Sequence, residues 1–464
     1  MTRPTQAPIP EFNPNRAESV KELFDGPVRE FSMYNNRRMI PSIVDGFKIS
    51  QRKVIYGTLK KAPSITPGNG IKVAQLANFI AEITHYDHGE GSLSGAIVGL
   101  AQNFPGTNNI NYLQPIGQFG NRLSPAAGAD RYIFTDLNPI FRKIFIKEDD
   151  LILEYLENDG DQIEPKFYYP ILPNVLINGN DSMGTGHASS FLQYNPEDLK
   201  RYILAALKGG KPKPLVPWFR GYTGEVTKDP ATKQVTVKGK IEKVNSTTLR
   251  ITELPPGTWE ENYKQYLYTL EDAGYIKSFQ ANSTSQGWDW VITVPRTTGY
   301  ADDEELVKKF KLVWRVTENF TVWLPHGKLK RFSGPEELID YFIDFRLDKY
   351  EERRQAVIKQ LEAELVELNE RLRWVKHYTH GDNASKFSKK TKVEWQQLLA
   401  DLKFTLIDQL MAIPLYRLTR DEIEKLEKQI TDTQIQLKFY RDSTNVTLYV
   451  RDLEALDLSK ELRA

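Results

Sequence analysis

Two stretches near the C-terminal end of this 464-residue chain carry a strict heptad pattern. Ile358, Leu361, Leu365, Leu368, Leu372 and Val375 form the first, and Ile423, Leu426, Ile430, Thr433, Leu437 and Tyr440 the second, each spaced 3, 4, 3, 4, 3. Apolar residues at that period stay on one side of an α-helix and have to be covered by another helix. Thr419 and Glu422 form a T-x-x-E capping box at the start of the second seam. Room for a small helical cap lies between the seams, so they predict a long antiparallel coiled coil within one chain, with the cap at its tip. Such an arm either acts as a spacer or presents a dimer contact far from the body.

Nearer the N-terminus, Val73, Leu76, Ala77, Ile80 and Ile83 repeat at helical spacing, THYDHGEG interrupts, and Leu93, Ile97 and Leu100 repeat again. This predicts two short helices and is compatible with a helix-turn-helix. From Phe167 to Lys328 the pattern is mixed. GYTGEVTKDPATKQVTVKG predicts a hairpin around Asp229 and Pro230, WDWVITV and TVWL predict strands, and Trp259 to Ala273 a helix. The expected fold is mixed α+β and multidomain. Residues 1–164 would hold the helix-turn-helix and an N-terminal arm, 165–334 an α/β body, and 335–464 the coiled coil with its cap.

The net charge of +1 names no partner, so charge has to be read locally. Arg37 to Lys72 holds eight bases against one acid, Asp45, and Glu148 to Glu164 holds eight acids and no base. Either run can be a solvated face; the basic one, beside the helix pair, also fits a phosphate-contacting surface. The absence of Cys excludes disulfides, thiolate metal sites and a Cys nucleophile. The polar, Pro-rich N-terminus lacks the apolar run of a secretory signal. The uncharged run of 31 residues from Gly91 to Asn121 is no membrane span, because its Pro, Gly, Asn and Gln would leave amides unsatisfied in lipid. A soluble, cytoplasmic protein is expected.

Six strings tie these parts together: PSIVDGFKISQRKVIYG (41–57), HGEGSL (88–93), LAQNFPGTNNINYLQPIGQFGNRL (100–123), DRYIFT (130–135), EPKFYYPILPNVLINGNDSMGTG (164–186) and ITELPPGTW (251–259). In sequence and in order they resemble the breakage-reunion part of type IIA DNA topoisomerases. QRK and RYIFT look more like the eukaryotic than the bacterial wording, and the overall layout is most similar to the medium subunit of T-even phage topoisomerases. The resemblance implies a winged-helix DNA-cleavage domain, a tower-like DNA-bending domain and a dimer gate at the end of the coiled coil. It implies double-stranded DNA as substrate, a homodimer through that gate, and a separate partner subunit carrying the ATPase and the Mg²⁺. No cofactor or metal would belong to this chain, and a phage-encoded copy would act in the host cytoplasm. With no room for a DNA-wrapping domain after Ala464, relaxation and decatenation are expected rather than active negative supercoiling.

On the same resemblance, Tyr132 is the nucleophile that becomes joined to the 5′ end of a broken strand. A phenol with a pKa of about 10 needs a nearby cation or base to act at neutral pH, and Arg131 supplies a cation that keeps its charge. Arg131 and Arg52 would bind the non-bridging oxygens in the transition state. His88 would hydrogen-bond near the scissile phosphate or move a proton, unless it only caps the second helix. Lys48 and Lys53 would contact the DNA backbone, and Arg122 would close the far end of the uncharged run, whose amides either face DNA or pack as a hydrogen-bonded loop. Met183, where the family usually has Ile, would wedge between base pairs, with Gly184 permitting close approach; otherwise it is an ordinary loop hydrophobe. Gly91 and Gly95 stand where bacterial enzymes carry the Ser and acid used by quinolones, so weak poisoning is expected. The alternative reading is a non-enzymatic, DNA-bending winged-helix architectural protein.

Overall fold

The computed structural model describes residues 19–64, 68–299, 301–381, 383 and 390–462. Both heptad seams lie on helices. The first occupies the outer part of a 45-residue helix, Pro335–Thr379, and the second lies within Arg420–Asp442. Pro335 at the first helical position and Glu336 and Glu337 in the first turn open the long helix, where a missing N–H costs nothing and negative charge suits the dipole. Leu361, Leu368 and Val375 on one helix, and Leu426, Ile430, Leu437 and Tyr440 on the other, are buried. Arg441 pairs with Glu362 at 2.6 Å and Lys376 with Glu427 at 2.6 Å. Partners climb one helix as they descend the other, so the pair is antiparallel. At Thr419 only one half of the predicted box forms, the Glu422 N–H donating to Thr419 Oγ at 3.4 Å. The tip has its own apolar cluster around Trp374, Leu399, Phe404, Leu410 and Leu418.

In the N-terminal body, helices Ile49–Lys61, Val73–Thr84 and Glu90–Ala101 pack on one another. The apolar positions read from spacing, Val73, Leu76, Ala77, Ile80, Leu93, Ile97 and Leu100, are buried there. A small antiparallel sheet beside them pairs Ile71–Lys72 with Phe134–Thr135, and Ile116 bridges to Phe134 on the other side. The hairpin expected around Asp229 joins Glu225–Lys228 to Gln234–Lys238. The next body is a four-stranded antiparallel sheet in the order Ser278–Ala281, Trp290–Thr293, Thr248–Glu253, Lys240–Asn245, covered by helix Glu260–Asp272.

One apolar cluster runs through Ile55, Ile80, Tyr112, Tyr168, Phe191, Phe320, Leu338 and Leu453. Packing is therefore continuous across the divisions expected at 164/165 and 334/335, while residues 249–312 and the tip have clusters of their own. The foot of the long helix is fixed by charge as well as packing. Arg346 and Arg353 are fully buried; Arg346 pairs with Asp149, and Arg353 with Asp452 at 2.6 Å and Asp149 at 3.6 Å. Tyr350 donates its hydroxyl to Asp452 at 3.0 Å. The acidic run is thus partly internal. Among the described residues no helix is long and apolar enough to cross a membrane.

Candidate nucleic-acid interface

Tyr132 stands on a turn that closes over the start of helix Val73–Thr84. The first N–H groups of that helix have no partner within it, and here Val73 donates to the Ile133 carbonyl at 3.0 Å and Ala74 to the Asp130 carbonyl at 3.2 Å. Tyr132 N–H closes the turn on the Ala129 carbonyl at 2.8 Å, and Ser94 Oγ donates to Asp130 Oδ2 at 2.9 Å, tying the turn to helix Glu90–Ala101. Ile133 is buried while Tyr132, its neighbour, is 69 % exposed. The result is a rigidly based phenol facing solvent, with the Arg131 guanidinium 5.0 Å from the centre of its ring. The preceding loop needs glycine at 120, where φ is +85° and a Cβ would lie 2.8 Å from the Pro125 carbonyl oxygen.

Met183 is 78 % exposed at the end of the hairpin that pairs Asn180–Met183 with Ala188–Phe191. Gly184 N–H donates to the His187 carbonyl at 2.8 Å, and a side chain at Gly184 would collide with Asn36 Oδ1. The close approach that Gly184 permits here is therefore to helix Arg29–Met39 of the same chain.

His88 and Lys48 line a polar cleft of about 330 Å³ with Tyr34, Arg38, Lys53 and His85. His88 Nε2 lies 2.5 Å from the Tyr34 hydroxyl, and its ring meets Tyr86 edge-on at 5.3 Å. Neither contact is a cap on the following helix, whose N-cap is Gly89. Lys48 makes no ion pair among the described residues; burial lowers its ammonium pKa, opposed by the charge of Asp181.

Three bases expected to meet DNA are engaged inside the protein instead. Arg52 is buried and forms a fork on Asp45, with Nε to Oδ2 at 2.7 Å and Nη2 to Oδ1 at 3.0 Å. Burial works against its charge, and the charge and hydrogen bonds of Asp45 together with the charge of Glu164 and Tyr168 hold its pKa above the usual value. Lys53 donates to Glu164 at 2.9 Å and to the Thr84 carbonyl at 2.8 Å, where a cation suits the C-terminal end of helix Val73–Thr84. Arg122 is buried between the Gly221 carbonyl, at 2.7 Å, and Glu253, at 3.7 Å. Most side-chain amides of the uncharged run are likewise bonded within the protein, Asn103 and Gln118 being exposed. Gln102 donates to the Phe119 carbonyl, Asn108 to that of Gln102, Asn109 to those of Tyr194 and Trp218, and Asn111 to that of Leu113. The segment is for the most part a hydrogen-bonded loop.

The match to a family model is nearly end to end: residues 38–458 fit the A-subunit model of DNA gyrase/topoisomerase IV. The chain belongs to that family. It is 33 % identical to DNA topoisomerase 2 of Arabidopsis thaliana over 93 % of this chain and 32 % of that protein. With DNA topoisomerase 2 of Candida albicans it shares 38 % identity over 75 % of this chain and 24 % of that one. Among solved structures, the DNA-binding, cleavage and re-ligation domain of Plasmodium falciparum topoisomerase II superposes with a TM-score of 0.85 at 32 % identity, covering 92 % of this chain and 62 % of that one. The chain spans about a third or less of the length of these two curated relatives. The matching stretch in both is part of one longer eukaryotic chain, which gives no support to a phage origin or to a separate partner subunit.

Within this gyrase/topoisomerase IV frame, the exposed groups are Tyr132, Arg131 and Met183, with Lys48 and His88 half-buried in the cleft. Sequence reading missed Tyr34 and Asn36, which lie on a helix ahead of the first recognisable string, while Arg38 on the same helix was counted in the basic run. Among the described residues no group of three or more His, Asp or Glu is placed to hold a metal ion.

Proposed function

We propose that this chain is the DNA-cleaving part of an ATP-dependent type II DNA topoisomerase. The observation that carries the reading is Tyr132: a solvent-facing phenol on a turn anchored to two helices, with Arg131 against it. Tyr132 Oη gives up its proton to solvent or a nearby base and attacks a backbone phosphorus, the bond from phosphorus to the 3′ oxygen breaks, and the 3′ oxygen leaves as a hydroxyl by taking up a proton in exchange. The enzyme keeps the 5′ phosphate as a tyrosyl ester. One phosphodiester replaces another, so the step reverses without ATP. Arg131 stabilises the charge that develops on the non-bridging oxygens. His88, in its basic cleft, orients the nearby backbone or carries a proton.

Arg52 acts in this reading as a residue that holds the Asp45 loop, and Lys53 and Arg122 as internal braces. The three packed helices and the small sheet at Ile71–Lys72 act as a winged helix, and the four-stranded body as a tower against which DNA bends. Met183 enters the base stack, as apolar wedges do in other DNA-bending proteins. Two copies meet at the tip of the helix pair, a role supported by Tyr416, 74 % exposed there. The ATPase and Mg²⁺ belong to another part of the assembly. Another duplex passes through the break, giving relaxation and decatenation.

The test is a covalent adduct. The chain, assembled with its ATPase and metal-binding part, is mixed with Mg²⁺ and supercoiled DNA and then denatured. Protein joined to 5′ ends is expected, with none from Tyr132→Phe. DNA that bends but never gains an adduct would make the chain an architectural protein instead.

A further inference from the structure

Helix Arg29–Met39 touches both the bending tip and the His88 cleft, although it lies outside every string that carried the family resemblance. The Tyr34 hydroxyl is 2.5 Å from His88 Nε2, and the two rings lie 6.0 Å apart. With the Tyr86 ring nearly perpendicular to it, centroids 5.3 Å apart, the imidazole is held by ring contacts and one hydrogen bond. The hydroxyl can donate to or accept from that nitrogen, so the contact holds the rotation of the imidazole in either tautomer.

Two residues along the same helix, Asn36 is buried and donates Nδ2 to the Thr185 carbonyl at 3.0 Å, beside Met183 in the hairpin tip. Asn35 Oδ1 accepts from Thr185 Oγ at 3.3 Å. The Asn36 carbonyl accepts from Trp323 Nε1 at 2.9 Å, which pins this end of the helix to the strand Phe320–Trp323. Gly184 packs so close to Asn36 that a side chain there would collide with it. Tyr34 and Asn36 are separated along the axis by only about 3 Å of helical rise. A hydrogen-bonded helix hardly compresses over that span, so a shift of the tip moves Tyr34 with it.

We infer that helix Arg29–Met39 couples DNA bending at Met183 to the placement of the His88 ring, with Tyr34 as the positioning residue for His88 and Asn36 as the anchor of the tip. The inference rests on the proposed role of His88 near the scissile phosphate. Tyr34 does not touch the reacting atoms; it acts through the imidazole. The coupling lets the enzyme complete its cleavage site only on DNA that has accepted the bend.

The experiment uses the complete assembly with Mg²⁺ and a short duplex carrying two dyes. Energy transfer reads the bend, and the denaturant-trapped adduct reads the cleavage rate. Tyr34→Phe, at a position 48 % exposed, is expected to melt with the wild type. It should lower the cleavage rate at saturating DNA by about tenfold, the worth of one hydrogen bond, with DNA affinity and bend unchanged. His88→Ala should slow cleavage, and adding Tyr34→Phe to it should slow it no further. Asn36→Ala should reduce both bend and cleavage, and adding Tyr34→Phe should leave cleavage no slower than in the slower single variant. A wild-type rate in Tyr34→Phe, or multiplying effects in either pair, would overturn the inference. Tyr132→Phe separates the two failures. If the wild-type adduct depends on Tyr132, any of those outcomes defeats the coupling alone; if no such adduct forms, the proposed function fails and the coupling with it.

Discussion

Replacing Arg52 by methionine removes the cation bonded to a fully buried carboxylate. Asp45 accepts from Arg52 through Nε and Nη2, and otherwise from the amides of Phe47 at 3.1 Å and Tyr168 at 3.2 Å. Taking away one partner of a buried pair costs about 3–5 kcal/mol. The two amides that remain on Asp45 put this case near the lower end, at about 3 kcal/mol. For a cooperative unit of 150–250 residues that corresponds to a fall of about 6–12 °C in melting temperature. Arg52→Lys should fall part of the way, because an ammonium cannot reproduce the planar fork. The assay is a thermal melt by circular dichroism, run beside the Tyr132 adduct assay on the same preparations. A phosphate ligand would behave in the opposite way, since removing one cation from a DNA-facing surface leaves the melt alone and stops cleavage. An Arg52→Met protein that melts within about 2 °C of wild type yet forms no adduct would refute the internal assignment.

Met183→Ala should leave the melting temperature unchanged, because the side chain is largely exposed, while dye-labelled DNA bends less; an unaltered bend would remove Met183 from the interface. Glu337, whose carboxylate accepts the Ser333 N–H at 2.8 Å and lies 3.1 Å from Lys330, has its pKa held down to about 2. A carboxylate depressed in the folded state adds stability above its unfolded pKa of about 4.3 and loses it as pH falls towards 2. At 43 % side-chain exposure the gain is under about 1 kcal/mol, and Glu337→Gln should flatten that acid limb in pH-dependent melts. Quinolones should trap few cleavage complexes, since Gly91 and Gly95 on the exposed side of helix Glu90–Ala101 offer no side chain; trapping at the drug levels that act on bacterial enzymes would count against this.

The parts of this fold that were legible in the sequence are those set by local period. The heptads of residues 358–375 and 423–440, the helix pair beginning at Val73 and the hairpin at Asp229 all appear where spacing puts them. The long helix begins well before its seam, because its first turns, Leu338, Ile339 and Ile343 among them, pack into the apolar cluster of the body. Charge was the misleading signal. The basic run counts Arg52 and Lys53 as surface, yet the partner of Lys53 is Glu164, 111 residues on, and Arg122 faces Glu253, which a local count cannot reveal. The acidic run likewise hides Asp149, whose partner Arg346 is 197 residues distant. Tyr132 was legible only through the string DRYIFT, for nothing in its spacing separates it from the other 21 of the chain's 22 tyrosines. Tyr34 had no string at all, and became visible only when the fold set it against His88.

The ion pairs at the foot of the long helix make it a lever with its fulcrum inside the protein. From Arg353, locked between Asp149 and Asp452, to the helix end at Thr379 is about 39 Å at 1.5 Å per residue. A tilt of about 10° at that fulcrum swings the tip through about 7 Å on the same geometry, while charges close to the pivot move by only a fraction of that. Two such tips, tilting in opposite senses, would part by roughly the sum of their swings without either arm bending or any seam residue leaving its partner. In the proposed dimer, an opening at the tip would need only a small rotation at the body, where Arg353 is held by Asp149 and Asp452.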